Sequence, residues 1–296
     1  MASKKKGFLD RYDGWRVRDV DAVFAVVPFV LRTRIDSQCM FEENIPIEKI
    51  ESFIREHKED MPDLTFMHVI MAALVRLVSQ KPYLNRFVIW NKLYAHNNFV
   101  ISLAIKRQNG VESIVKPEFE LDDTIYDVTS KLAKLLNENL DVETTNEVDS
   151  TADILGKLPS FVLRPLVWLL FQMDKVGLLP KFLNAISPWH CSMFLTNVGS
   201  LGIGPIYHHL YEFGTCSCFI AMGNKMRVQT LNQDGTSSVR RYLGLKFVAD
   251  ERICDGMYFA SAMKVFKRIL TNPECLLQKP EEVIMDDGVR HFTKNK

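Results

Sequence analysis

Residues 249–256 read Ala-Asp-Glu-Arg-Ile-Cys-Asp-Gly, and the reading of the fold turns on them. This charged octet separates two patterned segments. Tyr242 to Val248 reads as a strand, and Met257 to Leu270 carries helical spacing up to the Asn272-Pro273 stop. Further out the same mixture of periods continues. Asp36 to Glu48 opens a helical stretch in which Ile50, Phe53 and Ile54 share one face, ended by Pro62 and Asp63. Thr65 to Gln80 is apolar round most of its circumference, as expected of a helix buried against a sheet. Strands are predicted at Phe87–Trp90, Val100–Ile105, Cys191–Leu195 and Cys216–Met222, and an amphipathic helix at Ile125–Leu140. Asp141 to Asp153, acidic and rich in hydroxyls, reads as a surface crossover or linker. The class is mixed α/β.

Composition narrows the function. A chain of 296 residues, 47% hydrophobic, buries a substantial core. Its net charge of +1 provides no global field for nucleic acid, which is excluded as a partner. The six cysteines include no Cys-x-x-Cys pair and read as reduced thiols of an intracellular, cytoplasmic protein. Cys216-Ser-Cys218 fits a strand better than a metal site, and no histidine pairs with a carboxylate at ligand spacing, so no metal is expected. Met-Ala-Ser-Lys-Lys-Lys at the start lacks the apolar segment of a secretory signal. The most apolar region, Phe161 to Ile186, is interrupted by Arg164, Pro165, Asp174, Lys175, Pro180 and Lys181, so it falls short of the roughly 20 residues that cross a bilayer. Gly199-Ser-Leu-Gly202-Ile-Gly204 reverses the order of a dinucleotide fingerprint, and Pro205 stands where its helix would begin.

Several stretches, taken together, resemble one family. The octet resembles the His-x-x-x-Asp-Gly signature of the chloramphenicol acetyltransferase-like superfamily, which includes the catalytic domain of the dihydrolipoyl acyltransferases of 2-oxo-acid dehydrogenase complexes. Asp255 and Gly256 match, and Glu251 occupies the histidine position. Phe194-Leu-Thr-Asn-Val-Gly-Ser-Leu-Gly202 is similar to the family's Phe-Thr-Ile-Ser-Asn-Leu-Gly segment, with Thr196, Asn197 and Gly199 at motif positions. Ser187-Pro-Trp-His190 resembles the Asn-Pro-Trp segment that precedes it, and Asn272-Pro-Glu-Cys-Leu-Leu277 the family's ending. Pro28 to Asp36 and the helices after it are similar in pattern to the family's first strand and helices.

The resemblance implies a two-layer sandwich, a mixed β-sheet with covering helices, assembled as a homotrimer with sites between adjacent subunits. It implies one catalytic domain over 15–279, flanked by tails at 1–14 and 280–296. An apolar helical insert at about 155–189 is expected as a core or subunit-contact helix, in preference to a peripheral membrane contact or an acyl-channel lid. No lipoyl-bearing segment precedes the domain, so the chain is expected to carry no lipoyl group and to stand alone. Its implied partners are an acyl-coenzyme A thioester as co-substrate and a small thiol, hydroxyl or amine acceptor, with no bound cofactor. Thr196 would stabilise the oxyanion of the tetrahedral intermediate, and Asp255 would fix the loop by pairing with Arg16 or Arg18.

Glu251 makes the chemistry non-standard. A thiol titrates near 8.5, so passing its proton to an ordinary imidazole at about 6.5 is uphill by about 2.7 kcal/mol, and to an ordinary glutamate at about 4.3 by roughly 5.7. The gap of about 3 kcal/mol is near two orders of magnitude, which burial of a carboxylate can largely recover. A glutamate base nevertheless forgoes the cation that a protonated imidazole sets beside the oxyanion. Alternative bases are His209, in the His208-His209 pair, and His190 at the start of the Thr196 strand. The structural reading of Glu251 is an ion pair with Arg252 or another arginine. Two functions follow: acyl transfer from coenzyme A with a non-standard base, favoured by the retention of Thr196, Asp255 and Gly256, or an inactive family member that binds acyl-coenzyme A or scaffolds a partner.

Overall fold

The computed structural model describes residues 10–106, 112–139 and 156–289. Its strands are β1 (Gly14–Arg16), β2 (Gln38–Pro46), β3 (Arg86–Ile89), β4 (Lys92–His96), β5 (Phe99–Lys106), β6 (Glu112–Val115), β7 (Glu118–Phe119), β8 (Met193–Asn197), β9 (Cys218–Leu231) and β10 (Ser237–Asp250). The helices are α1 (Ala22–Val30), α2 (Glu48–Glu56), α3 (Phe66–Gln80), α4 (Ile125–Asn139), α5 (Ser160–Lys175), α6 (Lys181–Ile186) and α7 (Gly256–Thr271).

The main sheet runs β2-β10-β9-β8-β5-β6, with β7 also on β5, and a smaller sheet runs β1-β4-β3. In the main sheet β8 lies parallel to both neighbours while the other pairs are antiparallel, so the sheet is mixed. The parallel step arises because the long connection holding α4, α5 and α6 returns the chain to the edge of β5 in the same direction.

Alternation along the strands divides the sheet into two faces. Met193, Leu195, Leu243, Leu245 and Phe247 point into the main core, beneath α2, α3 and α7. Helix α3 is buried on nearly all sides because α4 and α7 pack along it. Phe194, Phe219 and Val248 point to the opposite face, where the segment 203–217 covers them with Leu210 and Tyr211. That segment lies close because two glycines allow it: a Cβ at Gly223 or Gly244 would strike the Pro205 ring.

Several expectations are corrected. The strand near the start of the domain is Gln38–Pro46 rather than Pro28–Asp36, and 38–46 is not helical: its alternate side chains face in and out along the edge of β10. Pro28 instead sits inside α1. The flanking segments, where described, are not tails. Arg11 is buried between Asp13 and Asp174, Ile284 N–H donates to Ser79 O (2.8 Å), and the Asp286 carboxylate takes both Nε and Nη2 of Arg86 at 2.6 Å. Val289 is fully buried. Residues 1–9, 290–296 and the expected linker 141–153 lie outside the described residues. Of the expectation that the insert is a core or subunit-contact helix, the core half fails: Asp174 is the one buried side chain of α5, and α6 buries none. No described helix is long and apolar enough to cross a membrane, no metal-binding group occurs among the described residues, and all six cysteines are free.

Candidate functional site

The octet begins where β10 ends. Asp250 is fully buried, and its carboxylate accepts from Arg252 Nε (2.8 Å) and Nη2 (2.7 Å) and from the Arg252 backbone N–H (3.1 Å). Arg34 Nε stands 4.0 Å from its other side. The Arg34 guanidinium also donates to the carbonyls of Val88, Tyr211, Glu212 and Gly214, and Arg252 Nη1 to that of Leu31. Two buried arginines around one buried carboxylate thus tie the octet to the covering segment and to the strand Arg86–Ile89. Burial pulls the Arg34 guanidinium down from its ordinary value, with the Asp250 charge opposing.

Glu251 is held from behind by this frame. Its backbone N–H donates to Ser37 O (2.9 Å), and its side chain is exposed with no partner among the described residues. The nearby Cys39 thiol is pushed up, first by burial and then by the negative charge of Glu251. The expected Glu251–Arg252 pair does not form, because Asp250 takes the Arg252 guanidinium. Asp255 is not paired with Arg16 or Arg18 either. It is the N-cap of α7, accepting from Tyr258 N–H at 2.6 Å, while the Arg16 guanidinium lies 5.4 Å over the Tyr94 ring and Arg18 is exposed. The loop-fixing carboxylate is Asp250, five positions earlier. The cap was legible as an Asp before Gly256 at a helix start; the buried role of Asp250 had no sequence signal beyond its spacing from Arg252. Asp255 also borders a polar cavity of about 500 Å³ with Asp19, Asp21, Tyr83, Arg86 and Asp287.

Thr196 stands near the end of β8, half-buried, its hydroxyl without a partner among the described residues. The turn that follows is shaped by Asn197, whose Oδ1 accepts from Ser200 N–H (3.3 Å), by Gly199, where a Cβ would strike the Gly223 backbone, and by Gly202 at φ +78°. Phe194 and Thr196 share a face by strand alternation, and Phe194 stacks on Phe219 at 4.7 Å. Thr196 therefore looks toward the covering segment.

Register separates Thr196 from Glu251. Thr196 pairs with Ala221, and Ala221 with Lys246, which places Glu251 five residues further along β10 and two strands across. At about 3.3 Å per residue and about 4.8 Å per strand, that is about 16 Å along the sheet and about 10 Å across it. Within one chain the two side chains do not meet.

The alternative histidines differ in position. His208 stacks on Phe219 at 4.1 Å and on His209 at 4.8 Å, which brings the pair over the face that carries Thr196. Each pairs its Nδ1 with a following carbonyl: His208 with His209 O (2.9 Å), His209 with Leu210 O (3.1 Å). An imidazole that donates through Nδ1 keeps the Nε2 lone pair free to accept a proton. His190 is buried, with Nδ1 at 2.7 Å from Ser187 Oγ and Nε2 at 3.3 Å from Asp174 Oδ2, so both ring nitrogens are engaged in the cluster that Arg11 completes.

The solved structures show the fold. A probable dihydrolipoamide acetyltransferase from Listeria monocytogenes 4b F2365 matches 96% of this chain and 100% of its own at 13% identity, with a TM-score of 0.54. A chloramphenicol acetyltransferase matches 86% of this chain and 99% of its own at 9% identity (TM-score 0.53). The cubic core of a pyruvate dehydrogenase multienzyme complex matches 86% and 88% at 13% identity (TM-score 0.51). The chain thus has the chloramphenicol acetyltransferase-like fold. Within it, residues 191–278 match the family model of the 2-oxoacid dehydrogenases acyltransferase (catalytic domain), the segment that holds Thr196, the covering loop and the octet. A search of curated proteins finds no match.

Proposed function

We propose that the protein transfers an acyl group from a coenzyme A thioester to a small thiol, hydroxyl or amine acceptor, at a site built where two copies of the chain meet. The observation that carries this reading is the pairing of two uncommitted groups with two rigid frames. Among the described residues the Thr196 hydroxyl is free on a glycine-shaped turn, and the Glu251 carboxylate is free on the turn that Asp250, Arg252 and Arg34 lock. One copy supplies Thr196 as the oxyanion donor and a neighbour supplies Glu251 as the base, in a trimer of the kind the resemblance implies. A preorganised donor lowers the barrier because it need not reorient when charge develops on the attacked carbonyl. Protonation of a carboxylate leaves a neutral acid beside the oxyanion, so Thr196 carries more of the stabilisation than it would opposite an imidazole.

A second base has its own observation: His209 lies over the Thr196 face of the same chain with its Nδ1 at a carbonyl. Formation of acylated product from acetyl-, butyryl- and hexanoyl-coenzyme A with a small thiol, an alcohol and an amine as acceptors, followed by mass for the wild type and for Glu251→Gln, Glu251→His and His209→Ala, separates the two. Loss in Glu251→Gln with activity kept or raised in Glu251→His supports Glu251. Loss confined to His209→Ala moves the base to the covering loop. Binding of the thioesters without turnover would overturn acyl transfer in favour of the inactive reading.

A further inference from the structure

We infer that the hairpin formed by α5 and α6 docks on an anionic lipid surface. A helix on the outside of a water-soluble fold ordinarily turns polar side chains outward. The face of α5 that points away from the protein does the reverse. At 100° per residue Phe161, Pro165, Trp168 and Leu169 share one side, and Phe161 is 79%, Trp168 63% and Leu169 48% exposed. The connection and α6 continue the surface with Leu178 at 69% and Phe182 at 65%. Contiguous apolar surface of this kind marks a docking site.

Charge selects the occupant. Between Lys157 and Ile186 the charged residues are Lys157, Arg164, Asp174, Lys175 and Lys181. All four cations are exposed, while the single acid is buried in its bonds to Arg11 and His190. The exposed charge of the hairpin is therefore wholly positive, with Arg164 and Lys175 flanking the aromatic side chains on the same helix face. Aromatic and leucine side chains among basic residues, on helices too short and too charged to span, are the chemistry of an element lying in the headgroup plane. A free acyl chain would use the apolar residues and leave the cations unexplained, and an acyl-coenzyme A, which could use both, would need a cleft where Phe161, Trp168 and Leu169 instead project from an exposed face. Pairing of the hairpin with the same hairpin of a second copy would set like charges against each other. Asp174 sets the geometry: its contacts with Arg11, a backbone one included, pin the inner side of α5 and turn Phe161 and Trp168 outward.

This inference stands apart from acyl transfer, and its test needs no substrate. The full chain is sedimented with vesicles of 70% phosphatidylcholine and 30% phosphatidylglycerol, and with pure phosphatidylcholine, while tryptophan emission is followed. Sedimentation with the anionic vesicles, with a blue shift lost in Trp168→Ser, is expected. Each cation near such a surface contributes about fivefold to partitioning, so Arg164→Glu with Lys175→Glu lowers binding more than tenfold, and 0.5 M salt does the same. Phe161→Ser with Trp168→Ser lowers it without changing the melting temperature, because both side chains are exposed. Three results overturn the inference: no binding to anionic vesicles, binding indifferent to Trp168 and to phosphatidylglycerol, or an oligomer that Phe161→Ser with Trp168→Ser dissociates in the absence of lipid. The last would make the hairpin an interface between copies.

Discussion

Replacing each aspartate of the octet by alanine tests which of them holds it. Asp250 has no exposed surface and sets its one negative charge against two guanidinium groups that are themselves 2% (Arg34) and 3% (Arg252) exposed. Asp250→Ala leaves the buried Arg252 without its ion-pair partner and Arg34 with Glu212 alone, and removing one partner of a buried pair costs about 3–5 kcal/mol. Asp255→Ala removes an exposed helix cap whose one bond is to Tyr258 N–H, a loss of about 1 kcal/mol. At about 2–4 °C per kcal/mol for a domain of this size, the melting temperature should fall by about 6–20 °C in the first variant and about 2–4 °C in the second. Urea unfolding at pH 7 gives the two free energies directly, with the slope unchanged if only native stability is altered. Asp250→Met combined with Arg252→Met should recover part of the loss, because an apolar pair leaves no buried charge of its own, and the two changes should be strongly non-additive. Equal losses for Asp250→Ala and Asp255→Ala would refute the assignment and return the loop-fixing role to Asp255.

Thr196→Val should cut acyl transfer by about 10²–10³-fold with unchanged melting temperature, since the hydroxyl makes no bond within the described chain; steady-state kinetics with acetyl-coenzyme A beside a thermal melt checks both parts. Gly223→Ala should lift Pro205 and the covering segment from the sheet, which raises proteolytic cleavage within 203–217. Acid should destabilise the fold in two steps. Burial pulls the His96 imidazole down to about 4, so the unfolded chain, with an ordinary value of about 6.5, takes the proton first and stability falls as pH drops from about 6.5 to about 4. For Asp174, burial raises the carboxyl, but His190 and Arg11 outweigh it and hold it at about 2, so its contribution is complete above about 4 and is lost from there down to about 2. Urea midpoints between pH 7 and pH 2.5 should show both limbs, with His96→Phe flattening the upper one and Asp174→Asn the lower.

What the sequence disclosed depended on the range of the interaction. Helix α3, whose apolar residues cover its circumference, and α7, with its Asn-Pro stop, were legible because local periodicity and punctuation determine them. Strands β9 and β10 extend past their apolar stretches: beyond Met222 and before Tyr242 they are largely polar, and they persist as strands through each other's hydrogen bonds. Gln38–Pro46 does not read as a strand because Glu42 and Glu43 interrupt its alternation, and its pairing with β10 bridges some two hundred residues. The ends hide their burial for a related reason. Arg11 and Asp286 look solvated in sequence, and only their partners Asp174 and Arg86, remote along the chain, make burial favourable. Thr196 and the octet are both legible in sequence, yet which aspartate is buried follows from the arginines that converge on it, and Arg34 lies far along the chain from Asp250 and Asp255.

The two halves of the candidate site also differ in how they are built, and this bears on Glu251. A side chain that serves a neighbouring copy must project from its own protomer with little freedom, because its target is not present to orient it. Glu251 meets that requirement unusually well. The residues before and after it, Asp250 and Arg252, bind each other in the interior, and its own N–H is tied to Ser37, so the backbone at 251 is fixed on both sides while the carboxylate faces outward. A surface glutamate without a role needs no such frame. If the frame served only to close the fold, Glu251→Ala would leave every activity and assembly property unchanged. If it serves to present the carboxylate, Asp250→Asn should reduce turnover in the remaining folded protein as well as stability, since it loosens the turn from which Glu251 projects. Turnover per folded molecule, corrected by active-site titration, separates these outcomes, and an unchanged value in Asp250→Asn would mean that Glu251 is presented by nothing more than its place on the strand.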